Sequence, residues 1–279
     1  MKLGIFAKTF EGTAPGAVLA AARGAGYESV QYNMACSGLD PLPLEIPDEI
    51  AEAVRAAAEE NGIAMEAVSA TYNIIHPDAG ERERGRRAFA AIAGAARRMG
   101  TRLLTVCTGT RDAHDMWRYH AENSSSEAWE EMCREFRGLL AVAEKHDVFV
   151  GVEPELGNVV SSARRARRLI DEMEGGRVRI VFDAANLFEA ADVTRQHAFL
   201  DEAVELLGGW IAIAHAKDRL ADGRFGTAGD GVLDYPHYLA ALKRCGFGGG
   251  LITHGLAAAD AQRVAAFLRK QIAAAEARE

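Results

Sequence analysis

Four apolar runs in the second half of the chain each end in an ionisable side chain: GVE at Glu153, RIVFD at Asp183, WIAIAH at His215 and GLITH at His254. Two carboxylates and two imidazoles make an O,O,N,N donor set. Brought together without a counter-ion they would repel one another or be desolvated, and a divalent cation removes that penalty. Such a shell suits Mn, Fe, Co or Zn better than Mg, which prefers oxygen ligands in an octahedron. One divalent metal ion is therefore the expected cofactor. Any one of these residues alone reads as a capping Asp or a satisfied His at a loop start; four successive runs ending this way argue for a shared site.

Other polar residues fall where they could serve a ligand. Lys217, two residues past His215 in HAKDRL, can reach the same place and bind a hydroxyl, carbonyl or phosphate oxygen, or else pair with a neighbouring carboxylate. Glu155 follows Glu153 in EPEL, and Asn186 follows Asp183 in DAAN. In the first half, TYNIIHPD carries Asn73 and His76, and CTGTRDAHDMWRYHAEN carries Arg111, Trp117, His120 and Asn123. An aromatic face with donors and acceptors around it suits a small polyhydroxylated substrate; the plainer alternative is a loop packed on itself through Trp117. The glycines of GTAGDGVLDY form either a turn or a substrate-covering loop. No G-x-S-x-G, no H-E-x-x-H and no obviously placed nucleophilic cysteine occurs. Metal-assisted proton transfer is the chemistry these residues can support.

The elements that must position them follow from hydrophobic periodicity. Short apolar runs, read as strands, cover Leu3–Ala7, Ser29–Tyr32, Ala64–Ala70, Leu103–Cys107, Val148–Glu153, Val178–Asp183, Trp210–His215 and Gly250–His254. Between them, apolar spacings of three and four predict helices near 14–24, 48–61, 80–99, 125–146, 161–174, 197–208, 236–245 and 258–275. Asp78 with Glu81 reads as a capping box before the third helix. Eight strand–helix units predict a single-domain (β/α)8 TIM barrel over residues 1–279. An open doubly wound sheet would place a glycine-rich nucleotide loop after the first strand, where this chain reads KTFEGTAPGA. In a barrel the chemistry gathers at the C-terminal ends of the strands. Stepping back by two from each terminal ionisable residue reaches mostly barrel-filling residues, so all four groups are expected to point inward.

Composition narrows the partners. With 49% apolar and 26% charged residues the chain can build a large core, which excludes whole-chain disorder. A net charge of −8 argues against a nucleic-acid partner, which needs Lys and Arg to neutralise phosphates. No apolar stretch is long enough to span a membrane. Cys36, Cys107, Cys133 and Cys245 lie far apart, so a reducing, cytoplasmic setting is expected.

GVEPE, VFDAAN, IAHAKD and GTAGDGVLDY, in this order and spacing, resemble the xylose isomerase-like barrels, the sugar phosphate isomerase/epimerase superfamily that also holds inosose dehydratases and AP endonucleases. The resemblance runs over essentially the whole chain. It implies a metal-dependent isomerase or epimerase acting on a small sugar, keto-sugar or cyclitol by proton transfer through an enediolate. Metal ligation then falls on Glu153, Asp183, His215 and His254, with Glu153 and His254 at the positions of the family's catalytic pair. For such a substrate, the loop and strand-end residues already singled out, His76, Arg111, Trp117, His120, Glu155, Asn186 and Lys217, are the expected contacts. A homo-oligomer is the family expectation.

Two positions depart from the relatives: His254 stands where many epimerases have Glu, and Asn186 where they often have a substrate-binding His. An imidazole on a metal can only donate from its other nitrogen, which leaves Glu153 as the base and favours one-base isomerisation over two-base epimerisation. The alternatives are a dehydratase or lyase, with His120 or Lys217 as the acid, an AP-endonuclease-like hydrolase, and a non-catalytic sugar-binding barrel.

Overall fold

The computed structural model describes residues 1–277; Arg278 and Glu279, included in the expected domain, lie outside the described residues. Eight parallel strands close into one barrel. They are β1 (Lys2–Phe6), β2 (Ser29–Tyr32), β3 (Ala64–Ser69), β4 (Leu103–Cys107), β5 (Phe149–Glu153), β6 (Val178–Asp183), β7 (Ile211–Ala216) and β10 (Gly250–Thr253). The order β1-β10-β7-β6-β5-β4-β3-β2 has each barrel strand beside its sequence neighbour, with β10 closing onto β1. Two short strands, β8 (Asp218–Arg219) and β9 (Phe225–Gly226), form a separate antiparallel hairpin after β7.

Eight helices cover the barrel: α1 (Pro15–Gly24), α2 (Asp48–Asn61), α3 (Ala79–Ala96), α4 (Ser126–His146), α5 (Ala163–Glu172), α6 (Gln196–Leu207), α7 (Tyr235–Arg244) and α8 (Ala261–Glu276). Side-chain caps fix the starts of α3, α4, α5 and α7. Asp78 Oδ1 accepts from the N–H groups of Gly80 and Glu81, Ser125 Oγ from Ala128, Ser162 Oγ from Arg165, and Asp234 Oδ1 from His237. The ends move slightly from the periodicity reading for local reasons. The first strand stops at Phe6 because Ala7 opens a 3₁₀ turn, and the last helix starts late because Ala258–Asp260 forms another.

The barrel interior is layered. Ala67, Leu103, Val181, Ile213 and Ile252, all buried, form an apolar plug at mid-height. Glycine makes room for it: a Cβ on Gly4 would sit 2.3 Å from Ile252 Cδ1, and one on Gly151 would sit 3.1 Å from both Leu103 and Val181. Above the plug lie the ionisable ends of β5, β6 and β7; below it lie Phe149 and Arg179, two strand positions further down.

Candidate active site

Alternation along each strand puts Glu153, Asp183 and His215 inward, one layer above Val181 and Ile213, and His254 follows β10 by one residue. Among the described residues these four side chains bring one ligand atom each to within 4.8 Å of one another. His215 Nδ1 lies 3.1 Å from Glu153 Oε1 and 3.7 Å from Asp183 Oδ2, and His254 Nε2 lies 3.2 Å from Asp183 Oδ2. The two imidazoles meet edge-on, 4.5 Å between centroids.

The electrostatics describe a cluster that needs positive charge. Burial works against ionised carboxylates, yet His215 holds Glu153 below its ordinary range, and Lys217, His215 and His254 hold Asp183 well below its own. Burial would strip the proton from His215, but Glu153 and Asp183 push its pKa up to about 9. The two carboxylates thus favour positive charge at His215 Nδ1, the place a bound cation would take from the proton. His254 goes the other way: burial and then the neighbouring His215 lower it, leaving a neutral ring. Two ionised carboxylates and an available neutral imidazole are what a transition-metal dication requires, so the donor set fits the expected group.

Supporting residues orient the four. His215 Nε2 meets Gln31 Oε1 at 2.8 Å, and Gln31 Nε2 donates to Thr105 Oγ1 at 3.2 Å. A proton on Nε2 for this bond leaves Nδ1 free to ligate, the usual arrangement behind a metal-bound histidine. Gln31 was not anticipated as a site residue, although a Gln in the buried run SVQY of β2 was the available signal. Tyr238 of α7 donates to the backbone carbonyls of Phe182 and His215, at 3.2 and 2.9 Å, and so ties down the ends of β6 and β7.

The remaining expected site residues divide. Lys217 is buried with Nζ 3.0 Å from Asp183 Oδ2, and buried Asn186 donates from Nδ2 to Glu153 Oε1 at 3.0 Å. Asn186 Oδ1 is buried with no hydrogen-bond partner. Glu155 lines the same pocket; burial, then Glu153, push its carboxyl up to about 8. Trp117, 53% exposed, stands on the pocket rim.

His76, Arg111 and His120 are placed elsewhere. His76 ties its loop to the carbonyl of Ala113 and the N–H of Asp78. Arg111 pairs with Glu131 of α4. His120 Nδ1 accepts from Glu122 N–H, capping a 3₁₀ turn. They belong to two polar loops, after β3 and after β4, that bond to themselves and to each other: Asn73 and Asn123 accept from the backbone N–H groups of Thr110 and Arg111. A dehydratase reading thereby loses His120 as its acid.

The pocket above the cluster encloses about 670 Å³, walled by Phe6, Gln31, Trp117, Lys217, Arg219 and Phe225. Phe225, 49% exposed, sits on β9 opposite Arg219, with Lys217 Nζ 3.9 Å and the Arg219 guanidinium 4.4 Å from its ring. Asp218 anchors the glycine segment, accepting from the N–H groups of Gly229 and Leu233, and a Cβ on Gly231 would lie 2.3 Å from Asp218 Oδ1. Those contacts make that segment a fixed turn.

The profile of the xylose isomerase-like TIM barrel family matches residues 19–271, and the chain belongs to that family. Among solved structures it is similar to L-ribulose 3-epimerase (16% identity, 99% of this chain and 95% of that one, TM-score 0.77). It is also similar to 3-keto-D-glucoside 4-epimerase from E. coli (18% identity, 97% and 99%, TM-score 0.75). A third similar structure, the IolI protein solved with a zinc atom, shares 17% identity over 98% and 99% at TM-score 0.71. No curated protein sequence matches this chain. Among the described residues no helix is long and apolar enough to cross a membrane.

Proposed function

We propose that the protein is a divalent-metal-dependent isomerase or epimerase for a small sugar, keto-sugar or cyclitol. The convergence of Glu153, Asp183, His215 and His254, with Glu153, His215 and His254 lining the floor of one pocket, carries this reading. The superfamily's sugar epimerases, similar in fold, support it.

Glu153, Asp183, His215 and His254 would hold a cation of the Mn, Fe, Co or Zn type. When bound, it supplies polarisation of a substrate carbonyl and stabilisation of the oxyanion that develops there. Glu153 acts as the base. Its contacts from Asn186 Nδ2 and His215 Nδ1 both fall on Oε1, which leaves Oε2 to take the proton from the carbon beside the carbonyl. Returning that proton to the neighbouring carbon, while the hydroxyl proton passes to the former carbonyl oxygen, completes an isomerisation with a single carbon base. His254, as a ligand, is not available to accept a second proton. Lys217 and Glu155 hold substrate oxygens and Asn186 positions Glu153, while Trp117 and Phe225 shield the pocket from water.

The test is solvent deuterium incorporation across a panel of ketoses and inososes, comparing the wild type with Glu153→Gln. The substitution is isosteric but cannot accept a proton, so exchange is expected to fall by about 10²–10⁴-fold. Full exchange in Glu153→Gln would sink the assignment.

A further inference from the structure

The opposite mouth of the barrel, at the N-terminal ends of the strands, opens into a second cleft of about 750 Å³ with reversed chemistry. Lys2, Arg55, Arg97, Arg102 and Arg179 line it against only two carboxylates, Glu59 and Glu66. Those two are occupied: Glu59 by Arg55 at 2.8 Å and Glu66 by Lys2 at 3.8 Å. Arg97 and Arg102 share a single carboxylate, Asp147, and Arg177 binds the same group at 2.8 Å while also reaching Glu144. Six cations therefore face four carboxylates, an excess of two positive charges in a chain of net charge −8.

Arg179 is the residue this arrangement leaves over. Its position on β6 places it inside the barrel base, two residues below Val181 of the plug. Its guanidinium bonds only backbone carbonyls, Val178 at 2.6 Å and Gly176 at 3.5 Å, and no carboxylate pairs with it among the described residues. It lies 4.1 Å from the centroid of the Phe149 ring, over which Arg102 and Arg177 also sit, each at 5.4 Å. Burial and then the neighbouring Arg177 work against its charge. Asp147 joins Arg102 and Arg177, but the third guanidinium on the ring, Arg179, has no carboxylate to offset their repulsion. A structural collar would match its charges one for one; this one does not.

We propose that the basal mouth binds a small polyanion of the diphosphate type, such as a phosphorylated metabolite, through Arg179, Arg102 and Arg97. Planar guanidiniums match phosphate oxygens two at a time. The cleft has the size of a small-molecule site, and Phe149, Leu103 and Ala212 are among the residues that line it. The apolar plug divides it from the upper pocket, and the inference does not depend on the metal reading.

Isothermal titration of the full-length protein with inorganic pyrophosphate and with inorganic phosphate, at low ionic strength to limit screening, tests the proposal. A single saturable pyrophosphate site is expected, tighter than for phosphate. It should weaken about tenfold in Arg179→Gln, which removes one charge-assisted contact, and be unchanged in His254→Ala. Asp147→Asn guards against a folding defect in the first variant. Asp147 has a left-handed φ of 54°, which Asn tolerates, and losing this opposing carboxylate should tighten binding. No binding, wild-type binding in Arg179→Gln, loss of binding in His254→Ala, or no gain in Asp147→Asn would each overturn it.

Discussion

The two mouths of this barrel differ in how they deal with concentrated charge. At the C-terminal mouth, Glu153 and Asp183 are buried with two imidazoles and a lysine, every donor aimed at a shared centre. At the N-terminal mouth the excess is positive and partly exposed, with Arg97, Arg102 and Arg177 spread around one carboxylate and Arg179 left without one. Burial makes the first cluster sensitive to each proton and suited to holding a dication; exposure makes the second weaker, salt-sensitive and suited to a diffusible anion. One scaffold supports both because Ala67, Leu103, Val181, Ile213 and Ile252 fill the space between them.

The plug offers the largest effect by which to break that comparison. Ile252 is fully buried, with its Cδ1 in the space that a side chain on Gly4 would need. Ile252→Ala should cost about 2–5 kcal/mol in urea unfolding through lost burial and the void left behind. A negligible cost would mean that the middle layer is not a packed divider.

A smaller effect sharpens the account of the upper mouth. Gln31→Leu removes the partner of His215 Nε2 while keeping the side-chain volume close. Metal affinity is expected to fall about 10–100-fold, the usual consequence of losing such an outer contact. Unchanged affinity in a metal titration would show that His215 is oriented by Glu153 and Asp183 alone.

The upper mouth was far more legible in the sequence than the lower one, and so was the barrel compared with its loops. Strand period and strand ends sufficed for Glu153, Asp183, His215 and His254, because each terminates an apolar run whose alternation points it inward. Asn186 and Lys217 lie within three residues of those ends and share their geometry. His76, Arg111 and His120 lie away from the pocket because the polar loops after β3 and β4 bond their own backbones and α4, and nothing in residue type distinguishes that from ligand binding. Gln31 escaped notice because a lone polar residue in a buried run acquires meaning only from what stands across the barrel. The basal arginines come from α2, the turn after α3, the residue just before β4, and strand β6, so only closure of the barrel assembles them.

The most direct test of the central claim is the metal content of the untagged protein by mass spectrometry, with His254→Ala measured in parallel. One transition metal per chain in the wild type, lost or weakened in His254→Ala, is the expected result. No metal bound by the wild type, even after incubation with Mn, Co and Zn, would contradict the account and leave the upper mouth a sugar-binding pocket without this chemistry.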